Sequence, residues 1–334
     1  MGTFVREISY KWTEVKHMTL IDFSNCEYSN RHGLYAGNAG GKDGLIYNGA
    51  NWIIKYPKTT RSMSGKNLAS YTTSPLSEYI GSHIYEILGY PVHETLLGYR
   101  NNKIVVACKD FQEFPWVLAE VRSLKNAAND EVSRLSDTDL PESATGDNVV
   151  LEELLFHFKY NEFLSSKDVQ DRFWDCAIID ILIDNNDRNN GNWGLLIDQS
   201  TGERKLAPVY DNGNSFCNKL ADECITPEMI SNDADIIGKR TVYQYREHML
   251  SAKKLLQLDV PELKESILRV VPKMQLGLQD MINLITEIPQ SYRELLVCSE
   301  VRKEFYIRSL QVRLEKLLMP VYQSLVGEDK TNVF

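Results

Sequence analysis

The run CAIIDILID, residues 176–184, is followed without a break by NNDRNNGNWG, residues 185–194. The first run is apolar on nearly every side of a helix, through Ala177, Ile178, Ile179, Ile181, Leu182 and Ile183. Periodicity therefore predicts a helix over residues 168–184 that is buried inside a helical lobe, not laid on its surface. A buried helix fixes the loop that leaves it. Here that loop packs five asparagines, two glycines, one acid and one base into ten residues. It is either an elaborate polar turn or a device that holds an acid and an amide at a defined place.

Asp187 comes first in that loop and Asn192 follows five residues later. WGLLID, the turn QSTGE and KLAPVY then read as a hairpin of two short strands, which returns the chain to Asp211 in YDNG. An acid, an amide and a second acid can thus converge. Phosphoryl transfer uses such a set: a carboxylate to orient the attacking hydroxyl and take its proton, and oxygen ligands for Mg²⁺ on the nucleotide phosphates. The interval of five matches that of protein-kinase catalytic loops. An isolated D-x-x-x-x-N carries little weight; buried helix, loop, hairpin and D-x-G together carry much more.

The rest of the chain supplies a setting. Residues 18–111 read as strands with one helix. LIYNGANWIIKYP turns at Asn48-Gly49, and TLLGYRNNKIVVACKDF turns at Asn101-Asn102. Between them SPLSEYIGSHIYEILGYP is a helix, with Ser74 as cap, Pro75 in the first turn, Gly89 and Pro91 at the end, and a stripe of Leu76, Ile80, Ile84 and Leu88. Residues 126–148 are polar and acidic and read as a partly mobile surface insertion. VVLEELLFHFKYNEFL is helical, and residues 241–325 read as nearly all helix. The organisation expected is an N-terminal extension (1–17, with Met18 an alternative start), a β-rich lobe (18–111) and a helical lobe (112–334), with a ligand cleft between the lobes. The fold class is α+β.

Phosphate chemistry asks the first lobe for a lysine and an acid that positions it. Lys55, on the strand NWIIKYP, is the lysine; the plain alternative is an edge lysine facing water. Glu78, in the only helix of that lobe, is the acid, with Glu86 its rival and a solvated surface acid the alternative. YAGNAGGKDG, with Gly37, Gly40 and Gly41, can cover phosphates with backbone N–H groups, though it is neither a P-loop nor an intact G-x-G-x-x-G. The backbone of Ala107, Cys108 and Lys109, where the lobes join, can meet an adenine edge; a simple strand end is the alternative.

At this point the sequence resembles the HipA-like serine/threonine kinases, most of all their short CtkA-type members. The residues that carry this are ETLLGYRNNKIVVACKDF, DRNNGNWG, APVYDNG, SEYIGSHI and WIIKYP, and the resemblance spans roughly residues 18–320. It implies a protein-kinase-like two-lobe fold, ATP and Mg²⁺ as cofactors, and a protein substrate. It also implies Asp187 as catalytic aspartate, Asn192 and Asp211 as metal ligands, and Lys55 as the ATP-phosphate lysine. Two departures stand out. Asn189 replaces a frequent histidine, so it can donate a hydrogen bond but cannot carry a proton. The loop AGNAGGK lacks the serine whose self-phosphorylation silences relatives. Such kinases are commonly toxins paired with a small antitoxin protein. A small-molecule or lipid kinase, and a nucleotide-binding pseudokinase, stay open; the retention of Lys55, Asp187, Asn192 and Asp211 speaks against the last.

Composition narrows the setting. A net charge of −9 and a pI near 5.3 speak against charge-driven nucleic-acid binding. The longest apolar runs, about ten residues, are too short to span a bilayer. The N-terminal residues lack a signal-peptide core, and Arg6 stands where a myristoylation motif wants Ser or Thr. Six scattered cysteines without C-x-x-C fit reduced thiols and a cytoplasmic location, with secretion as an effector the alternative.

Overall fold

The structure, a computed structural model, describes residues 18–35, 41–65, 67–140, 149–237 and 240–331. The expected extension 1–17 lies outside these residues.

The first lobe is a five-stranded sheet of β1 (Ile21–Asp22), β2 (Lys42–Tyr47), β3 (Ala50–Lys55), β4 (Thr95–Arg100) and β5 (Lys103–Lys109), in the order β1-β4-β5-β3-β2. A single helical turn, α1 (His32–Tyr35), precedes β2. Both expected hairpins form. Asn48 and Gly49 (φ 49° and 74°) and Asn101 and Asn102 (φ 51° and 56°) take the left-handed conformations that match the twist of the flanking strands. One sheet face closes over its own small core of Phe23, Leu45, Trp52, Ile54, Val105 and Ala107. The other face meets α2 (Ser74–Ile87), whose stripe of Leu76, Ile80, Ile84 and Leu88 is buried as the spacing predicts. Ser74 is not the cap but the first helical residue. Thr73 stands at the cap position and makes no capping bond, because its hydroxyl is given to Asn218 O, 3.2 Å away.

After β5 the chain crosses into β6 (Trp116–Glu120), α3 (Val121–Ser136), β7 (Val149–Val150), α4 (Leu151–Tyr160) and α5 (Lys167–Ile183). The expected insertion is therefore helical up to Ser136. Its polar composition hides a narrow stripe, Val121, Leu124, Asn129 and Val132, which is buried; residues 141–148 lie outside the described ones. The hairpin β8 (Gly194–Asp198) and β9 (Arg204–Leu206) forms as expected, and β6 adds to it in the order β6-β8-β9.

The remainder comprises α6 (Pro227–Ser231), α7 (Asp233–Ile237), β10 (Arg240–Tyr245), β11 (His248–Ser251), α8 (Ala252–Leu255), α9 (Pro261–Thr286), α10 (Glu300–Val312) and α11 (Met319–Thr331). A π-helical stretch, Arg313–Leu318, joins the last two. The near-all-helical expectation for 241–325 fails at its start. TVYQY is β-branched and aromatic, Arg246 and Glu247 (φ 48° and 64°) make a tight turn, and a hairpin results. A second small hairpin pairs Ser291–Tyr292 with Leu295–Leu296. α5 and α9 pack together at the centre of the helical lobe, and α9 also carries α2, so the two lobes share one large core. No helix among the described residues is long and apolar enough to cross a membrane.

Candidate active site

The exit of α5 is pinned. Asp184 closes the helix in the left-handed conformation (φ 55°), which aspartate tolerates better than most residues, and its N–H bonds Asp180 O. Its carboxylate accepts from buried Arg313 at 2.7 Å. Asn185 then donates its backbone N–H to Asp180 O (2.9 Å) and its side-chain amide to Asp180 Oδ1 (3.1 Å). The loop leaves the core in one fixed direction.

Asp187 follows, half-buried, with its N–H on Asn185 Oδ1 at 3.1 Å. Its Oδ1 accepts from Asn189 Nδ2 at 3.0 Å, so the residue in the usual histidine place does orient this carboxylate. Asn192 donates Nδ2 to Asp187 O at 2.6 Å, which leaves Oδ1 as that amide's oxygen for a cation.

Arg188, about 1% exposed, joins this loop to the next. Its guanidinium is paired with Asp180 of α5 at 2.9 Å and donates to Asn192 O at 3.1 Å. It also donates to Tyr210 O and to Asn212 Oδ1, on either side of Asp211. The two acids are thereby held to one another through a single buried side chain.

Asp211 sits in the left-handed region (φ 61°) with its carboxylate partly exposed. Lys55 Nζ lies 2.7 Å from its Oδ1 and 3.0 Å from Glu78 Oε2. Lysine from β3, glutamate from α2 and aspartate from the second lobe thus form one ionic cluster. Glu78 is no surface acid: it is about 1% exposed, lies 3.0 Å from His93 Nε2 and accepts from Asn212 N at 3.1 Å. Burial alone would raise the Glu78 carboxyl, but the charge of Lys55 and the bond to His93 hold it well below the usual range. Burial works against the Lys55 charge, yet Asp211 and then Glu78 hold the ammonium well above its ordinary value. The Lys55 charge likewise holds Asp211 low. Gly213 and Gly81 allow this approach. A Cβ on Gly213 would lie 3.0 Å from Glu78 Oε2, and one on Gly81 would lie 2.9 Å from Asn212 Cβ.

Glu86, the rival acid, is exposed. Gly37 and Gly40 lie outside the described residues; Gly41 (φ 99°) opens β2 opposite Tyr56. The backbone of Ala107, Cys108 and Lys109 is already committed. β5 is an inner strand paired with β3 and β4, and the N–H groups of Lys109 and Asp110 go to Glu94 O and Asn51 O. Glu78, His93 and Cys108 place a carboxylate, an imidazole and a thiol within 4.8 Å of one another, a donor set zinc accepts. The Lys55 ammonium already pairs with that glutamate at 3.0 Å, and burial pushes the Cys108 thiol up, away from the thiolate form. Sequence reasoning missed Arg188, His93 and Asn212. Arg188 stood inside the quoted motif, but nothing in the sequence gave His93 a role. It also missed Glu120, at the end of β6, half-buried and raised by burial within reach of the charges of Arg122 and Asp211.

If Lys55 and Glu78 work as one unit, Lys55→Met and Glu78→Gln each lower turnover, and the double variant loses less than the product of the two factors. Initial rates on the four proteins check this. A crippling Glu86→Ala beside a silent Glu78→Ala would assign the wrong acid.

No family model matches the chain. It is 31% identical over 310 residues to serine/threonine-protein kinase CtkA of Helicobacter pylori (strain J99 / ATCC 700824), spanning 90% of this chain and 87% of that protein. The crystal structure of a Helicobacter pylori proinflammatory kinase CtkA matches with a TM-score of 0.77 at 28% identity, over 92% of this chain and 99% of that one. HipA of Shewanella oneidensis MR-1, solved with HipB and operator DNA, matches with a TM-score of 0.52 at 14% identity, over 85% of this chain and 66% of that one. That last likeness is one of fold.

Proposed function

Because the chain belongs to the HipA-like serine/threonine protein kinases of CtkA type, we propose that it transfers the γ-phosphate of ATP to protein hydroxyls in the cleft between Lys55, Asp187, Asn192 and Asp211. A kinase of this family works with ATP and a divalent metal; Mg²⁺ is the finer reading. The observation that carries the proposal is the ion cluster of Lys55, Glu78 and Asp211, which spans both lobes. It is a lysine held ready for phosphates beside an acid kept ionised for a cation.

In this reading Asp187 orients the substrate hydroxyl and takes its proton, with Asn189 fixing the carboxylate. Lys55, held by Glu78, binds phosphate oxygens. Asn192 Oδ1 and the Asp211 carboxylate are hard oxygen donors, which suit Mg²⁺ better than a softer ion. Bound there, Mg²⁺ would neutralise charge on the phosphates. Asp211→Ala is expected to weaken metal-dependent nucleotide binding as well as turnover, and Asn192→Ala to do so more mildly, since only a neutral oxygen is lost. Calorimetric titration with Mg-ATP checks this; unchanged affinity in the Asp211 variant contradicts it.

The test of the function is incubation with γ-labelled ATP, with and without a chelator. Metal-dependent label on added protein supports the reading. Label on small molecules or lipid alone, or no label at all, overturns it in favour of those activities or of a pseudokinase.

Self-phosphorylation belongs to the same reading. The serine- and threonine-rich stretch 59–74 between β3 and α2, whose composition reads as a mobile loop, carries backbone pairing: Thr72 N bonds Lys58 O (2.8 Å), and Thr60 N bonds Ser70 O (3.2 Å). Ser62, Ser64 and Ser70 remain exposed. One of them is the expected acceptor in place of the serine absent from AGNAGGK. Mass spectrometry after incubation with Mg-ATP checks it; unmodified peptides over 59–74 from an active preparation leave this segment a linker. The toxin role and a small antitoxin partner rest on the family resemblance. Growth arrest that depends on Asp187 is the outcome they require. Six free thiols fit a cytoplasmic site of action.

A further inference from the structure

Helix α2 carries Glu78, and its N-terminal half is fastened to the segment that follows Asp211. Thr73 donates both its N–H (2.7 Å) and its hydroxyl (3.2 Å) to Asn218 O. Ser77 Oγ donates to Ser215 O at 2.9 Å. Glu78 Oε1 and Ser82 Oγ accept from Asn212 N and Nδ2 at 3.1 and 3.0 Å. Positions 73 and 77 lie one above the other, as do 78 and 82 about 100° further round, so these bonds grip half the circumference of the first turns of the helix. The approach to the helix is held in the same way: Ala69 N bonds Lys219 O and Ala221 N bonds Asn67 O, each at 3.0 Å.

Something must in turn hold residues 218–222. Arg302 of α10, about 2% exposed, does so. Its Nη2 donates to Leu220 O and its Nε to Asp222 Oδ1, both at 2.6 Å. Its Nη1 donates to Tyr306 OH at 3.2 Å, and that hydroxyl lies 3.2 Å from Thr73 Oγ1. Tyr306 is fully buried and its ring stacks at 4.9 Å on Phe216. A planar, permanently charged fork in a buried place, with three different acceptors, fixes geometry as well as charge.

We infer that Arg302 is a positioning residue: through residues 218–222 and Tyr306 it clamps α2 so that Glu78 meets Lys55. The catalytic half of this inference rests on the proposed role of Lys55 and Glu78; the clamp itself does not.

The test uses the full chain with Arg302→Met and the milder Thr73→Val, which removes one hydroxyl of the clamp. Hydrogen exchange over residues 73–82, without nucleotide, is expected to speed up by about tenfold in both, while α5 stays protected as in wild type. Turnover should fall about 10- to 100-fold in Arg302→Met, the scale of a small misplacement of a catalytic group. In a Glu78→Gln background, the same substitution should cost less than about twofold more, since it acts through Glu78. A purely structural loss would instead multiply with that of Glu78→Gln. Unchanged exchange over 73–82, or multiplying losses, overturns the inference. If Arg302→Met does not fold, Thr73→Val decides by the same two readouts. If the wild type transfers no phosphate, the kinase reading falls, while the exchange measurement still judges the clamp.

Discussion

Asp187→Asn is expected to lower phosphoryl transfer by about 10²–10⁴-fold, the usual scale for losing a positioned acid–base group, while nucleotide binding survives. The substitution keeps the size and shape of the side chain. The loop around it is held by other groups: Asn185 on Asp180, Asn192 on the Asp187 carbonyl, Arg188 on Asp180. What is lost is the capacity to take the hydroxyl proton. In the proposed reading nucleotide affinity rests on Lys55 and Asp211, whose ion pair the substitution does not touch. The result should be a near-unchanged affinity by calorimetry with a collapsed rate on a labelled protein substrate. A rate within about threefold of wild type would remove Asp187 from this role.

Why this acid was legible in the sequence, and its support was not, follows from what each depends on. Asp187, Asn192 and Asp211 lie within 25 residues, and a buried helix and a short hairpin fix their relation. Local pattern is enough for that. Lys55 and Glu78 needed the strand–helix order of the first lobe as well, and what sets Glu78 apart from Glu86, its burial and its 3.0 Å contact with Lys55, is not written in the periodicity. His93 reaches Glu78 from across a turn, the Arg302 side chain on α10 touches Leu220, Asp222 and Tyr306, and no periodicity relates either to the site. Composition misled twice. α3 is polar overall, yet it needs only Val121, Leu124 and Val132 to dock. β10 was submerged in a helical window because a six-residue strand leaves little trace there. The pairing of residues 67–73 with 218–221 is largely backbone to backbone, which side chains scarcely encode.

Arg188 carries the other large expected effect, on stability as well as activity. It is buried against Asp180, whose side chain is about 2% exposed, and Asp180 also accepts from Tyr85 OH (2.9 Å) and Asn185. Arg188→Met removes one partner and leaves a buried carboxylate without its counter-charge. Breaking such a pair costs about 3–5 kcal/mol, readable as a lower midpoint in urea unfolding with little change in slope. The same substitution frees Asn192 O, Tyr210 O and Asn212 Oδ1, the three atoms through which Arg188 holds the Asp187 and Asp211 loops together. The two consequences can be separated. Asp180→Asn in the Arg188→Met background keeps an acceptor oxygen for Tyr85 OH and Asn185 Nδ2 but removes the orphaned charge, so much of the stability should return. Activity should not return, because nothing then bridges the loops. A stable double variant that phosphorylates at the wild-type rate would mean that Arg188 serves the core alone and that the geometry of the two acids is set by the backbone.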